Sequence, residues 1–161
     1  MSFLPKGCDM KKLLILPLCL AFLLAGCSAR HFEKVPLENQ VKTFKVADPD
    51  YSYAQAVTCI THQVRPAKSG QFFTYESEKY KKFVVTFTLH SFEDNFGTTY
   101  TDAVLYYTTK GDEVTVEVGE LQQCSASFGC RSQDEFYGNQ YDFFKPRVQA
   151  TLDDFVKCVQ K

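Results

Sequence analysis

Histidine and serine are the residues of this sequence that could support acid–base or nucleophilic chemistry. The histidines are at 31, 62 and 90. We expect His90 on the polar face of a strand, beside Thr86 and Thr88. A histidine in that position is ordinarily an exposed surface residue. A nucleophile triad needs a serine or cysteine beside a histidine and a carboxylate, but Ser125 and Ser127 lack a Gly-x-Ser-x-Gly context. No acidic group has calcium-loop spacing, so the sequence predicts no catalytic residue, no metal site and no cofactor.

Cysteine is the other reactive residue, and the sequence contains seven. Cys8 and Cys19 fall before or within an apolar N-terminal segment that ends at Cys27. The cysteines after that segment are Cys59, Cys124, Cys130 and Cys158. An even number in an exported chain indicates two disulfides, with three possible connectivities. The absence of a Cys-x-x-Cys pattern argues against a zinc cluster or a thioredoxin-like site.

The N-terminal segment has the pattern of an export signal. Two lysines precede an apolar run of about a dozen residues, 13–24, which is the length of a signal-peptide core. A comfortable membrane span needs roughly 20 residues, so an uncleaved transmembrane anchor is the less favoured alternative. Two small residues then lead into Cys27, and either Met1 or Met10 could be the start of the chain.

Leu24-Ala25-Gly26-Cys27 resembles the lipobox of bacterial lipoproteins. The resemblance implies that the Cys27 thiol takes a diacylglycerol, that signal peptidase II cuts before it, and that the new amine is acylated. Two or three acyl chains, at about 0.8 kcal/mol per buried CH₂, give stable attachment. Among lipoproteins of Gram-negative bacteria an aspartate in the next position favours the inner membrane. Ser28 therefore implies an outer-membrane anchor with the body facing the periplasm.

Cleavage before Cys27 predicts three parts: a signal peptide over 1–26, a lipidated polar tether over 27–40, and a single periplasmic domain over 41–161. The formal net charge of the whole sequence is −1. The signal peptide removes more basic than acidic residues, so the remaining chain is slightly more negative. Without a basic excess to neutralise phosphates, nucleic acid is not an expected partner. The expected partners are the membrane, through the lipid, and a protein of the envelope.

Two segments have the period of amphipathic helices. Asp48-Pro49-Asp50 combines an N-cap residue with a proline in the first turn, and a final helix is predicted to begin near Pro146. Their apolar stripes are Tyr53, Val57, Ile60 and Val64, and Val148, Leu152, Phe155 and Val159. Cys59 and Cys158 each stand one place before a stripe residue. This favours a Cys59–Cys158 bridge between the helices and a local bridge between the other two cysteines.

Alternating segments predict strands at 41–46, 71–75, 83–90, 100–109 and 113–121, with a turn-rich loop at 92–99. A two-residue loop at Gly111-Asp112 buries Leu105 and Tyr107 against the valines of the next strand. A three-residue loop would bury Val104 and Tyr106 instead, and we prefer the first because it leaves Tyr106 outside. The predicted fold class is α+β: a three- to five-stranded antiparallel sheet with two helices on one face, stapled by disulfides.

The aromatic content indicates either a contact surface or tyrosines that simply cover strand faces. Fifteen Phe and nine Tyr occur with no Trp, and tyrosine-rich surfaces are typical of contacts with proteins or glycans. Tyr100 and Tyr106, together with His90, are the candidate surface contacts. The predicted function is a non-enzymatic envelope lipoprotein that binds a protein partner or stabilises an assembly.

Two alternative functions remain open at this point. Segment 125–131, Ser-Ala-Ser-Phe-Gly-Cys-Arg, is similar to the Ser-Ala-Ser-Gly loop of lysozyme-inhibitor lipoproteins. That resemblance implies an inhibitor or immunity-type protein, in a family whose fold is a β-barrel. The other alternative is a ligand-binding periplasmic domain with a groove between helices and sheet. A hydrolase that uses His90 is the least favoured hypothesis.

Overall fold

The computed structural model describes residues 34–67, 71–94, 97–125, 127, 129–133 and 135–161. The predicted signal peptide, Cys27 and His31 lie outside them. In chain order the elements are β1 (Lys34–Pro36), β2 (Gln40–Lys45), α1 (Pro49–Gln63), β3 (Arg65–Pro66), β4 (Phe73–Ser77), β5 (Lys82–Asp94), β6 (Gly97–Lys110), β7 (Glu113–Ser125), β8 (Gly129–Ser132), β9 (Glu135–Tyr137) and α2 (Gly138–Val159). Neither of these two helices has the length and apolar character of a membrane span.

One large antiparallel sheet dominates the described chain. Its spatial order is β2-β7-β6-β5-β3, with β4 also pairing with β5 and β8 with β7. The sheet is open, and both helices pack on one of its faces. The α+β class is therefore confirmed. Among the described residues the sheet has seven strands rather than the predicted three to five, because short strands such as β3 and β8 add to it. The β-barrel implied by the lysozyme-inhibitor resemblance is not the fold of the described residues.

Part of the segment predicted as a tether, 27–40, is structured. Lys34–Pro36 forms a second, two-stranded sheet with β9, in which Lys34 lies opposite Tyr137. An ion pair of 3.7 Å between Lys34 and Glu135 lies at the same junction. Residues 34–40 therefore do not form a free spacer, and Gln40 already belongs to β2. A local pattern could not reveal a partner strand that lies a hundred residues later in the chain.

The central hairpin forms as predicted. Lys110 lies opposite Glu113 across a two-residue loop, in which Gly111 has a φ of +63°, the left-handed region that favours glycine. Leu105 and Tyr107 are fully buried. The loop predicted at 92–99 is wrong, because β5 continues to Asp94 and β6 begins at Gly97.

Both helices begin for identifiable reasons. The Asp48 carboxylate accepts hydrogen bonds from the Asp50 and Tyr51 amides, at 2.9 and 3.1 Å, and so caps α1. Helix α2 begins at Gly138, eight residues before the predicted start near Pro146. Pro146 removes one helical hydrogen bond. Packing keeps the preceding turn helical, because Phe144 is buried and its ring centroid lies 5.4 Å from that of Phe136.

Aromatic rings join the sheet to the helix layer. Phe83 and Tyr107 stack at 4.9 Å between centroids, and Phe155 of α2 meets both rings edge-on at 6.5 and 6.4 Å. The buried Tyr107 hydroxyl keeps a partner, because Ser52 Oγ of α1 lies 3.1 Å away. Burying a large apolar side chain contributes about 1.5–3 kcal/mol, so this cluster is a main source of stability.

Both expected disulfides are present. Cys59 and Cys158 join α1 to α2, with their Cα atoms 6.0 Å apart. Cys124 and Cys130 face each other across β7 and β8, with their Cα atoms 4.0 Å apart. The first bridge fixes the two helices against each other, and the second fixes the edge strand β8 on the sheet.

Candidate functional site

Strand β5 contains a bulge that reorients His90. Thr88 lies opposite Asp102, whereas His90 lies opposite Thr101, so Leu89 is an extra residue in the ladder. One extra residue inverts the alternation of side chains beyond it. His90 therefore lies on the helix side of the sheet. The prediction that it shares the polar face with Thr88 is wrong, because alternation alone does not reveal a bulge.

His90 packs against the N-terminal half of α2. Its ring lies edge-on to Phe143, with 4.8 Å between centroids and 72° between planes. The Arg147 guanidinium carbon lies 3.5 Å from the centre of the same Phe143 ring, a cation–π distance. Arg147 Nη1 also donates a hydrogen bond of 2.8 Å to the Phe143 carbonyl. Phe143 thus contacts both an imidazole and a guanidinium.

His90 and Arg147 line a groove of about 820 Å³ between β5, the C-terminal end of α1 and α2. Its apolar lining includes Phe87, Leu89 and Val64. Small-molecule sites commonly have volumes of roughly 300–1,000 Å³. We call this feature the basic groove, for the charges described next.

Cations outnumber anions in the basic groove. Its basic lining residues are Arg65, Arg147, Lys157 and Lys161, and its one acidic lining residue is Asp154. Asp154 lies 3.9 Å from Lys157. The whole sequence has a formal net charge of −1, so this local excess of positive charge is not a property of the chain as a whole. A cleft lined by one sign of charge concentrates ions of the opposite sign.

Tyr100 and Tyr106 lie on the other side of the sheet, on the face that neither helix covers. We call this the open face. Tyr106 donates a hydrogen bond of 2.5 Å to Glu120, and burial together with this carboxylate raises the pKa of Tyr106 to about 12. The exposed side chains of Val41 and Tyr75 share the face. The three predicted surface contacts therefore belong to two separate surfaces, with His90 alone in the basic groove.

The cations of α2 were missed by sequence reasoning. Arg147 and Lys157 lie on α2, and Lys161 lies two residues beyond its end. Their spacing is helical, but so is that of the polar residues of any solvated helix face. Only the opposing strand turns this face into one wall of a groove. Among the residues that the structure describes, no group of three or more His, Cys, Asp or Glu side chains is placed to hold a metal ion. The charged groups that the groove offers are mainly cations, which attract anions.

No protein-family model matches this chain, and no curated protein sequence matches it significantly. The solved structures that are similar to it include the following two. A DUF4468 family protein from Bacteroides ovatus has 9% sequence identity and a TM-score of 0.53, over 76% of this chain and 86% of its own. A TBP-like protein from Parabacteroides distasonis has 10% identity and a TM-score of 0.49, over 78% of this chain and 97% of its own. The likeness to the DUF4468 family protein is one of fold alone.

Proposed function

We propose that this chain is a lipid-anchored protein of the cell envelope and that its domain is a non-enzymatic binding module. The arrangement of the cysteines carries the proposal. All four cysteines after Cys27 are in disulfides, and structural disulfides are typical of oxidising compartments such as the periplasm. Cys27 is then the one cysteine after the apolar run 13–24 whose thiol is available to take a lipid.

The position of β1 supports a short connection to the membrane. Only six residues separate Cys27 from Lys34, the first residue of β1. An extended chain spans at most about 3.5 Å per residue, so a lipid on Cys27 would hold the edge of the domain within about 25 Å of the headgroups. The domain would then act close to the membrane surface.

The open face supports a protein as the partner. Both helices cover the opposite face, so this surface is a broad stretch of antiparallel sheet. Val41 is 54% exposed and Tyr75 is 48% exposed on it. The two residues lie at opposite edges of the sheet, in a row that also holds Tyr106 and Val84. Exposed apolar and aromatic side chains that extend across a face in this way are typical of protein contact surfaces.

Membrane fractionation tests the anchor. We expect wild-type protein and the matched control Cys19→Ala to be processed and to sediment with outer membranes. We expect Cys27→Ala to accumulate with its leader attached, because the thiol that takes the lipid is gone. If Cys27→Ala were processed and membrane-bound like the wild type, the anchor proposal would be wrong.

Site-specific photo-crosslinking in intact cells tests the open face. A photoreactive residue at Tyr75 should give a discrete protein adduct. The matched control is Tyr51, which is 62% exposed but lies on α1, on the helix side. Equal adducts from both positions, or none from Tyr75, would contradict a partner on the open face.

A further inference from the structure

We propose that the basic groove binds a phosphate-bearing ligand that also has an apolar portion. This site lies on the opposite side of the sheet from the open face. It does not depend on the lipid anchor or on a protein partner. Three features of the groove support the proposal. They are its excess of cations, the Arg147 guanidinium held in position by Phe143, and the apolar lining residues.

The cations favour a phosphate over a singly charged group. Four basic side chains and one carboxylate line the groove, so a monoanion would leave most of the positive charge without a counterion. A phosphate monoester carries close to two negative charges near pH 7. The groove therefore matches a doubly charged head group better than a carboxylate.

Arg147 is the residue best placed to bind the phosphate. Its guanidinium is held by the Phe143 ring at 3.5 Å and by the hydrogen bond to the Phe143 carbonyl at 2.8 Å. Guanidinium has five N–H donors, so this single bond leaves donors for a ligand. A planar fork with fixed donors matches a phosphate in a bidentate manner, and holding it in place reduces the entropy lost on binding.

The apolar lining requires a ligand with an apolar portion. Leu89, Val64 and Ala150 form the accessible apolar surface of the groove, and Phe87, which is 1% exposed, closes it from beneath. The His90 and Phe143 rings stand edge-on to one another. Inorganic phosphate would contact only the cations and leave this surface wet, whereas an ester chain would cover it.

A phosphate that bears an apolar chain could come from two sources, the headgroup of a membrane phospholipid or a soluble phosphate ester. Hexyl phosphate contains both parts of the ligand and serves as the soluble probe. Calorimetry on the full chain in a nonionic detergent measures its affinity, and backbone amide shifts of Leu89 and His90 locate the site. Inorganic phosphate and hexanol, which each lack one part, should bind about tenfold more weakly or worse.

Charge-removing variants link the binding to the groove. Arg147→Gln and Lys157→Gln should each weaken hexyl phosphate binding, by about fivefold for a partly exposed charge. The matched control is Lys79→Gln, since Lys79 is an exposed lysine outside the groove. Urea unfolding verifies that each variant is folded. Absence of saturable binding, unchanged affinity in both groove variants, or an equal loss in Lys79→Gln would overturn the proposal.

Nanodiscs then distinguish the two sources. The full chain is placed in phosphatidylcholine discs with or without phosphatidic acid, a lipid whose headgroup is a phosphate monoester. If phosphatidic acid alone shifts the Leu89 and His90 amides and competes with hexyl phosphate, the ligand is a lipid headgroup. If the amides respond only to added hexyl phosphate, the ligand is a soluble ester. Either result supports a phosphate site, and no response to either probe contradicts it.

Discussion

Removing the Cys59–Cys158 disulfide should destabilise the domain far more than removing Cys124–Cys130. The first bridge spans 99 residues of sequence and the second spans 6. In the chain-entropy model, the free energy of unfolding gained from a cross-link grows with the logarithm of the loop it closes. The model gives about 4.7 kcal/mol for the long loop and about 2 kcal/mol for the short one.

Urea unfolding of double alanine variants measures this difference without leaving free thiols. We expect Cys59→Ala/Cys158→Ala to lose the larger free energy, because its bridge closes the longer loop. Cys59 and Cys124 are 2% and 4% exposed, so each double variant also removes one buried side chain. Cys124→Ala/Cys130→Ala is the matched control. Equal losses, or a larger loss from the short bridge, would refute the reasoning that the helix bridge restrains most of the unfolded chain.

Three further perturbations test the packing and the electrostatics. Phe155→Ala should lower the free energy of unfolding by about 3–5 kcal/mol, as measured in urea. A decrease below about 1 kcal/mol would contradict the packing of Phe155 against the Phe83 and Tyr107 rings. Glu120→Gln should lower the pKa of Tyr106 in an ultraviolet titration, although burial, the larger cause, keeps it above 10. Because the pKa of Tyr106 is raised in the folded state, its contribution to the free energy of unfolding is complete below about pH 10 and is lost as the pH rises through about 12. If Glu120→Gln left the pKa of Tyr106 unchanged, the hydrogen bond between the two residues would be contradicted. Gly119→Ala should cost about 1–3 kcal/mol because its Cβ collides with the Asn39 side chain, and adding Asn39→Ala should recover part of that loss; no recovery would place the cause elsewhere.

The parts of the fold that sequence reasoning predicted are those that local periodicity determines. The 3.6-residue stripes gave both helix faces, and strict alternation around Gly111-Asp112 gave the hairpin register. The two cysteines beside those stripes gave the helix bridge. In each case the pattern lies within a few residues of sequence, where local propensity and the burial of apolar side chains favour the same secondary structure.

The parts that were missed depend on contacts between distant segments. Strand β1 exists because β9 pairs with it, and α2 continues before Pro146 because Phe144 finds a buried place against Phe136. The bulge at Leu89 is invisible in the alternation of β5, and it determines on which face His90 lies. The basic groove follows from all of these placements together, so no single segment predicts it.

Intact-mass spectrometry of the protein purified from membranes tests the central claim most directly. We expect a chain that begins at Cys27, carries a diacylglyceryl group and further acylation on that residue, and is four hydrogens lighter for its two disulfides. A chain with Cys27 unmodified and the leader still attached would contradict the account.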